Sequence, residues 1–289
     1  MSATLACIAG AEIYRQWDAK RVSGKKLGAR KTPFGESGEI FLVKTDGQSF
    51  YLMPRYGAGR SKTAPRKINY RANMYALKDL GVFGVLAWGP GGAVTHNIAV
   101  GDLVILSDLI DRTHLRTKTF FEDSPLGFLR QFPVFCPTLR RGIDEVLHEM
   151  KLVYHGGGTA AVCEGPRLET PAEVRMLATL GAELVTHTFV PEVFLARELQ
   201  LCYAAVCYVV NYAETGSSHR PFAAGDLFGG LTQKSDAERL AGAVGAMSRI
   251  AANVARTVAA AEPACDCRKS MAANIREYDL PADWRKWFE

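Results

Sequence analysis

The sequence predicts a single α/β domain over residues 1–289, and three observations carry that prediction. Apolar runs rich in β-branched residues alternate with helix-period patterns from end to end. The 289 residues suffice to bury one large core, and no internal repeat, low-complexity stretch or long linker divides them. With 48% hydrophobic and 22% charged residues, the balance is that of a globular chain rather than a fibrous or disordered one. No apolar run reaches the roughly 18 residues of a membrane span, and the N-terminus lacks a basic-then-apolar leader pattern. The reading is a cytoplasmic protein with no membrane partner.

The elements follow in order. Leu5 to Ala9 is the first strand, and Glu39 to Lys44 with Ser49 to Met53 form a hairpin about Thr45-Asp46-Gly47. Tyr70, Met74, Leu77 and Leu80 recur at helical spacing, so a helix spans Asn69 to Leu80 with Gly81 at its C-terminal cap. The strand Val82 to Trp88 runs into a glycine loop, Gly89 to Ala93, and a further strand covers Asp102 to Leu106. A helix from Pro137 to Lys151 and a strand from Thr159 to Cys163 come next. Thr170-Pro171-Ala172-Glu173 combines an N-cap, proline at the first helical position and an acid three residues on, so a helix starts there. Leu184 to Phe189 and Tyr203 to Tyr212 read as buried strands around a helix from Glu192 to Leu199. The last helix, Ser235 to Ala261, is rich enough in Ala and Gly to lie close against other backbone.

Charge and cysteine usage narrow the partners. A net charge of +5 is mild and suits a small anionic or phosphate-bearing substrate. Its densest part, Lys20 to Lys31, reads as a solvated loop rather than a nucleic-acid arm. Most of the seven cysteines lie in apolar runs and read as small buried hydrophobes in a reducing compartment. No His or Cys pair has metal-ligand spacing apart from Cys265-Asp266-Cys267, so no metal site is read. That C-x-C reads as two exposed inert thiols or a redox-labile pair.

Ligands in a twisted α/β sheet sit beyond the carboxyl ends of the strands. The loops there are Gly10 to Tyr14, Pro54 to Ser61, Gly89 to Ala93 and Asn211 to His219, either plain tight turns or anion cradles. Glu164 to Thr170 and Thr188 to Glu192 add charged and hydroxyl groups at strand-to-helix turns.

The stretches EGPRLETPAE (164–173), TFVPEVFLARE (188–198), KINYRANMYAL (67–77) and GDLVILSDLID (101–111) resemble the trimeric purine nucleoside phosphorylase and methylthioadenosine phosphorylase family. Thr32-Pro33-Phe34-Gly35 and Pro54-Arg55 continue the match upstream. The resemblance implies a mixed, partly barrel-like sheet flanked by helices and a homotrimer or dimer of trimers. It also implies phosphorolysis, in which phosphate attacks the anomeric carbon of a purine nucleoside to give a free base and a sugar 1-phosphate. Phosphate is then a co-substrate, and no cofactor is needed.

Such a reaction passes through a ribosyl cation between departing base and arriving phosphate, so the protein supplies placement and charge rather than a nucleophile. The resemblance assigns phosphate to Arg55 and Thr188, with Gly91 in the adjoining loop and Arg60 where the family has a histidine. Asn211 and Thr188 become the catalytic pair and Leu168 the residue under the purine, while His187 is either the neighbour of the sugar or a satisfied structural histidine. A 6-oxopurine offers an acceptor at O6 and a donor at N1, which an amide and a carboxylate match. Asn211 and Glu169 supply that pair, and Ala213 stands where adenine-type members carry a second acid. The wording is nearer the methylthio branch, so the expected substrate has an apolar 5′ group, as methylthioinosine has.

Four departures cluster in these loops, three on the phosphate side and the last beside the ribose. Ala9-Gly10-Ala11-Glu12 lacks the family's hydroxyl, and Tyr56 replaces a histidine. Pro90 removes a backbone donor, and Thr186-His187-Thr188 replaces a methionine-bearing turn. Each lost hydrogen bond to a charged ligand is worth roughly 1.5–3 kcal/mol, so weak phosphate binding is expected. Hydrolysis, an unusual nucleoside, or a non-catalytic purine-binding paralogue are the competing readings.

Overall fold

The computed structural model describes residues 3–10, 24–57, 63–213, 234–260 and 264–288. Strand β1 (Leu5–Ala9) is buried throughout, and its alternate residues feed two different cores. An edge strand β2 (Gly24–Gly28) and a two-residue hairpin, β3 (Lys31–Thr32) with β4 (Gly35–Glu36), precede the long hairpin of β5 (Ile40–Thr45) and β6 (Gln48–Pro54). That hairpin turns at Asp46 (φ 50°) and Gly47 (φ 71°), the paired left-handed conformation that Asp-Gly favours. Helix α1 (Tyr70–Asp79) is capped by Asn69, whose side chain accepts from the Ala72 N–H.

The chain continues through β7 (Gly84–Ala93), β8 (Leu103–Ile105), β9 (Asp108–Arg112), α2 (Pro137–Glu149), β10 (Tyr154–His155) and β11 (Thr159–Cys163). Helix α3 (Pro171–Thr179) opens with the expected reciprocal cap between Thr170 and Glu173. Then come β12 (Leu184–Thr186), α4 (Glu192–Glu198), β13 (Cys202–Tyr212), α5 (Lys234–Gly245), α6 (Met247–Ala260) and α7 (Ala272–Glu277).

One 11-stranded mixed sheet carries the fold, in the order β10-β8-β13-β7-β1-β6-β5-β2. Strands β6, β1, β7 and β13 are parallel neighbours, so their carboxyl ends share one edge. The far half of β7 also pairs antiparallel with β12, which leads on to β11 and β9. Only Leu106 and Ser107 separate β8 from β9, and their N–H groups bond to Ala205 and Gly158. The circuit β7–β13–β8, then β9–β11–β12 and back to β7, therefore closes through the chain. This is the barrel-like part that the sequence resemblance implied. Helices α1 and α4 cover one face, and α2 and α6 cover the other. Among the described residues, no helix is long and apolar enough to cross a membrane.

Four sequence expectations change. Gly89 to Ala93 is not a loop but the second half of β7, because the glycines let β12 and β13 approach closely; a Cβ at Gly91 would lie 2.5 Å from Cys207 Sγ. The strand expected over Leu184 to Phe189 stops at Thr186, and Phe189 turns the chain with φ 75°. The single last helix is two helices broken at Ala246, next to Gly245. Residues 24–28 of the basic run form β2, whose exposed Lys25 and Lys26 guard the sheet edge.

Candidate active site

Strand β7 is the spine of the candidate site. Trp88, Gly89, Pro90 and Gly92 each meet a side chain singled out in the sequence or its direct neighbour. Arg55, just past β6, is 2% exposed and donates through Nη1 to the Trp88 carbonyl at 2.9 Å. Its Nε and Nη2 reach the two carboxylate oxygens of Glu192 at 2.6 and 3.1 Å, and Nη2 also points at the Ile8 carbonyl at 3.3 Å. The guanidinium thus commits four of its five N–H donors to β1, β7 and α4. Burial pulls its pKa down, but the charge and hydrogen bonds of Glu192 outweigh that and leave it above the ordinary arginine value. The Tyr203 hydroxyl donates to the same carboxylate at 2.8 Å, and burial, then Glu192, hold that phenol protonated.

Thr188 lies over Gly89, where a Cβ would come within 2.6 Å of its Oγ1. The Thr188 and Thr186 hydroxyls are 2.8 Å apart, and Thr186 donates to the Pro90 carbonyl at 2.6 Å. Asn211, buried near the end of β13 beyond a bulge, pairs with Gly92, and its Oδ1 would be 2.9 Å from a Cβ there. Gly91 is enclosed between Cys207 and the Val185 carbonyl, in the sheet rather than in an open cradle.

His187 turns away from this row. Its Nε2 is 3.0 Å from Glu169 Oε1, and its ring is held against Gly165, where a Cβ would be 3.1 Å from Nδ1. Gly165 has φ 61°, so two independent constraints require glycine there. Burial raises the Glu169 pKa, but the hydrogen bond and charge of His187 offset it and leave the carboxyl below its ordinary value. The adjacent Cys163 thiol is pushed up to about 12 by burial and by the Glu169 charge. Leu168 is 38% exposed beside this pair.

The structure therefore groups Arg55, Thr188 and Asn211 along β7, and joins Glu169 to His187 on the adjoining turn. Arg60, Ala11, Glu12 and His219 lie outside the described residues. Two residues escaped the sequence reading. Glu192 appeared there as a charged group at a strand-to-helix turn, without its pairing to Arg55. Arg116, with no distinguishing local pattern, is a buried clamp: its five N–H groups meet Glu164 Oε1 and the carbonyls of Cys163, Glu164, His187 and Val190 at 2.6–3.2 Å. It fixes the 163–164 and 187–190 turns against each other, and so sets how Glu169 and Thr188 are presented.

Cys265 and Cys267 are not the exposed thiols of one sequence reading. Both are half-buried and pack against the second core, beside Cys136 and Cys202.

Comparison with known proteins matches residues 13–254 to the phosphorylase superfamily. A probable S-methyl-5′-thioinosine phosphorylase of Methanothermobacter thermautotrophicus is 40% identical over 207 residues, 71% of this chain and 70% of the relative. A probable 6-oxopurine nucleoside phosphorylase of Thermococcus kodakarensis is 38% identical over 216 residues, covering 72% and 79%. A methylthioadenosine phosphorylase from Schistosoma mansoni, solved with tubercidin, superposes with a TM-score of 0.81 at 23% identity, covering 96% of this chain and 100% of that one. This last likeness speaks to the fold alone.

Proposed function

The chain belongs to the phosphorylase superfamily, and from that premise we propose that it cleaves 6-oxopurine nucleosides with an apolar 5′ group by phosphorolysis. The coarser activity, phosphorolysis of the N-glycosidic bond of a purine nucleoside by a pentosyltransferase, is that of its curated relatives. The observation that carries the base preference is the state of Glu169. His187 holds this partly buried carboxyl in its charged, acceptor form. A charged carboxylate accepts from the N1–H of an oxopurine, whereas adenine offers no N1 donor. The Asn211 amide can donate to O6 and accept from N7–H as negative charge grows on the departing base. In this reading His187, expected to touch the ribose, instead positions Glu169, and Leu168 supplies the apolar surface under the ring.

On the phosphate side, Thr188 can turn its hydroxyl proton from Thr186 Oγ1 to the anion, and its oxygen can accept from the sugar. Arg55 acts mainly as a positioning residue, because Glu192 and two carbonyls already occupy most of its donors. Weak phosphate binding follows, and Arg60 is the residue left to add positive charge. The same commitment of Arg55 favours hydrolysis as the second reading. A cytoplasmic role in purine salvage fits the activity. Assembly into a homotrimer or dimer of trimers fits the strongly exposed Phe128 and Phe132 on one loop, and light scattering at monomer mass across micromolar concentrations would exclude it.

The deciding experiment is product analysis with methylthioinosine, inosine and adenosine, with and without phosphate. Sugar 1-phosphate from the oxopurine nucleosides, with weak phosphate saturation, is expected. Free sugar formed without phosphate would replace this reading with hydrolysis, and no product from any purine nucleoside would leave a binding paralogue.

A further inference from the structure

We propose that Cys136, Cys202, Cys265 and Cys267 form a structural zinc site that fastens the C-terminal segment to the body of the fold. The four come from three places: the N-cap of α2, the first residue of β13, and the turn after α6. All four Sγ atoms lie within 4.8 Å of one another, and those of Cys202 and Cys265 are 3.6 Å apart. A tetrahedral ion with Zn–S bonds of about 2.3 Å places its sulfurs roughly 3.8 Å apart, which matches this cluster. A disulfide needs about 2.05 Å and would divide the four into two pairs. Here the four are unbridged, and each is within reach of the other three.

The surroundings suit an anionic centre. Zinc binding releases the thiol protons to solvent as four Zn–S bonds form, and the resulting tetrathiolate carries two negative charges. Arg197 lines the same small cavity as Cys136 and Cys267, and its buried Nε has no hydrogen-bond acceptor among the described residues. A ligated sulfur would supply one. The Leu139 N–H already points at Cys136 Sγ at 3.5 Å, an outer hydrogen bond of the kind that orients a metal ligand. Arg268, stacked on Phe83, adds a further cation beside the cysteines.

Geometry also separates this centre from the reaction. Cys202 opens the strand that Asn211 nearly closes, and nine residues of strand span about 30 Å. All four positions of a tetrahedral ion are filled by protein, which marks a structural rather than a catalytic site. The clip would tie residues 264–288 to α2 and β13, alongside the bond from Ser270 Oγ to the Arg197 carbonyl. That segment carries Trp284 and Phe288, which pack against Phe34 and Tyr75. Local spacing hides the set, because Cys202 and Cys265 are 63 residues apart.

The test is metal analysis of the full chain, purified under reducing conditions and dialysed against a weak chelator. About one zinc per chain is expected. Replacing it with Co2+ should give thiolate-to-cobalt charge transfer and the visible bands of a tetrahedral ion. Stripping zinc with a strong chelator should lower Tm, and Zn2+ should restore it. Cys265→Ser should lose most of the bound zinc. If that variant fails to fold, Co2+ titration of the stripped wild-type chain decides the matter alone. A reduced chain, all seven of its thiols titratable on denaturation, that gives no tetrahedral Co2+ spectrum when native overturns the proposal. So do two disulfides in the unreduced protein with no Zn2+ bound after reduction.

Discussion

Arg55 and Glu192 form a two-pronged ion pair, 2.6 and 3.1 Å, in the interior beneath the candidate site. The pair holds the carboxyl ends of β1, β6 and β7 against the start of α4, and so sets the base on which Thr188 rests. Neither partner reaches solvent, and removing one strands the other charge. Breaking a buried pair in this way costs about 3–5 kcal/mol.

Glu192→Ala should therefore lower stability by about 3–5 kcal/mol in urea unfolding at fixed protein concentration. The Tyr203 hydroxyl loses its acceptor as well. Arg55→Met combined with Glu192→Ala should cost less than the sum of the single changes, since no buried charge is then left alone. Additive single costs would show that the two side chains do not act as a pair.

The base preference has its own test. Asn211→Asp replaces an amide that can donate to O6 with an acceptor suited to the 6-amino group. The ratio of kcat/KM for inosine over adenosine should fall by at least about tenfold, since each mismatched polar contact is worth about 1–3 kcal/mol. Calorimetry on the unaltered protein should show hypoxanthine binding more tightly than adenine. Equal affinities would remove the argument from Glu169 and Asn211.

Gly92 tests the placement of that amide. A Cβ there would come within 2.9 Å of Asn211 Oδ1 and 3.4 Å of the Ala213 N. The amide is the softer neighbour, so Gly92→Ala should move it. A shift of this kind costs about a hundredfold in kcat, and overpacking costs about 1–3 kcal/mol of stability. An unchanged kcat in the folded variant would show that Asn211 is not placed by this contact.

What could be read from the sequence was local. Asn69 and Thr170 announce their helices by caps, and Asp46-Gly47 announces its hairpin, because each signal lies within a few residues of what it specifies. Gly89 to Ala93 misled, because glycine in a strand interior looks like a loop until the strands that crowd it are known. Arg55 stands out through the family resemblance, but its partner Glu192 is 137 residues away, and no local pattern announces that pairing. Arg116 gave no local signal at all. Long-range pairing decided what each of these arginines does.

Glu198 supplies a pH dependence whose sign can be stated. Its side chain is buried, and burial raises its pKa to about 7 from 4.5, against the pull of the Phe120 N–H and the Thr119 hydroxyl. Between those two values the folded chain keeps a proton that the unfolded chain has released. Stability contributed by this group therefore falls as pH rises from about 4.5 through about 7, and the loss is complete above the folded value. The shift corresponds to about 3 kcal/mol. Glu164 and Glu169 are lowered instead, so their contribution is lost only on acidification below this window. Glu198→Gln keeps the volume and removes the proton exchange, at the cost of one mismatched hydrogen bond. Urea unfolding at steps across the window should show the wild-type chain losing stability relative to Glu198→Gln as pH rises. Parallel profiles would mean that Glu198 is already charged at pH 4.5, with the Thr119 and Phe120 donors outweighing burial.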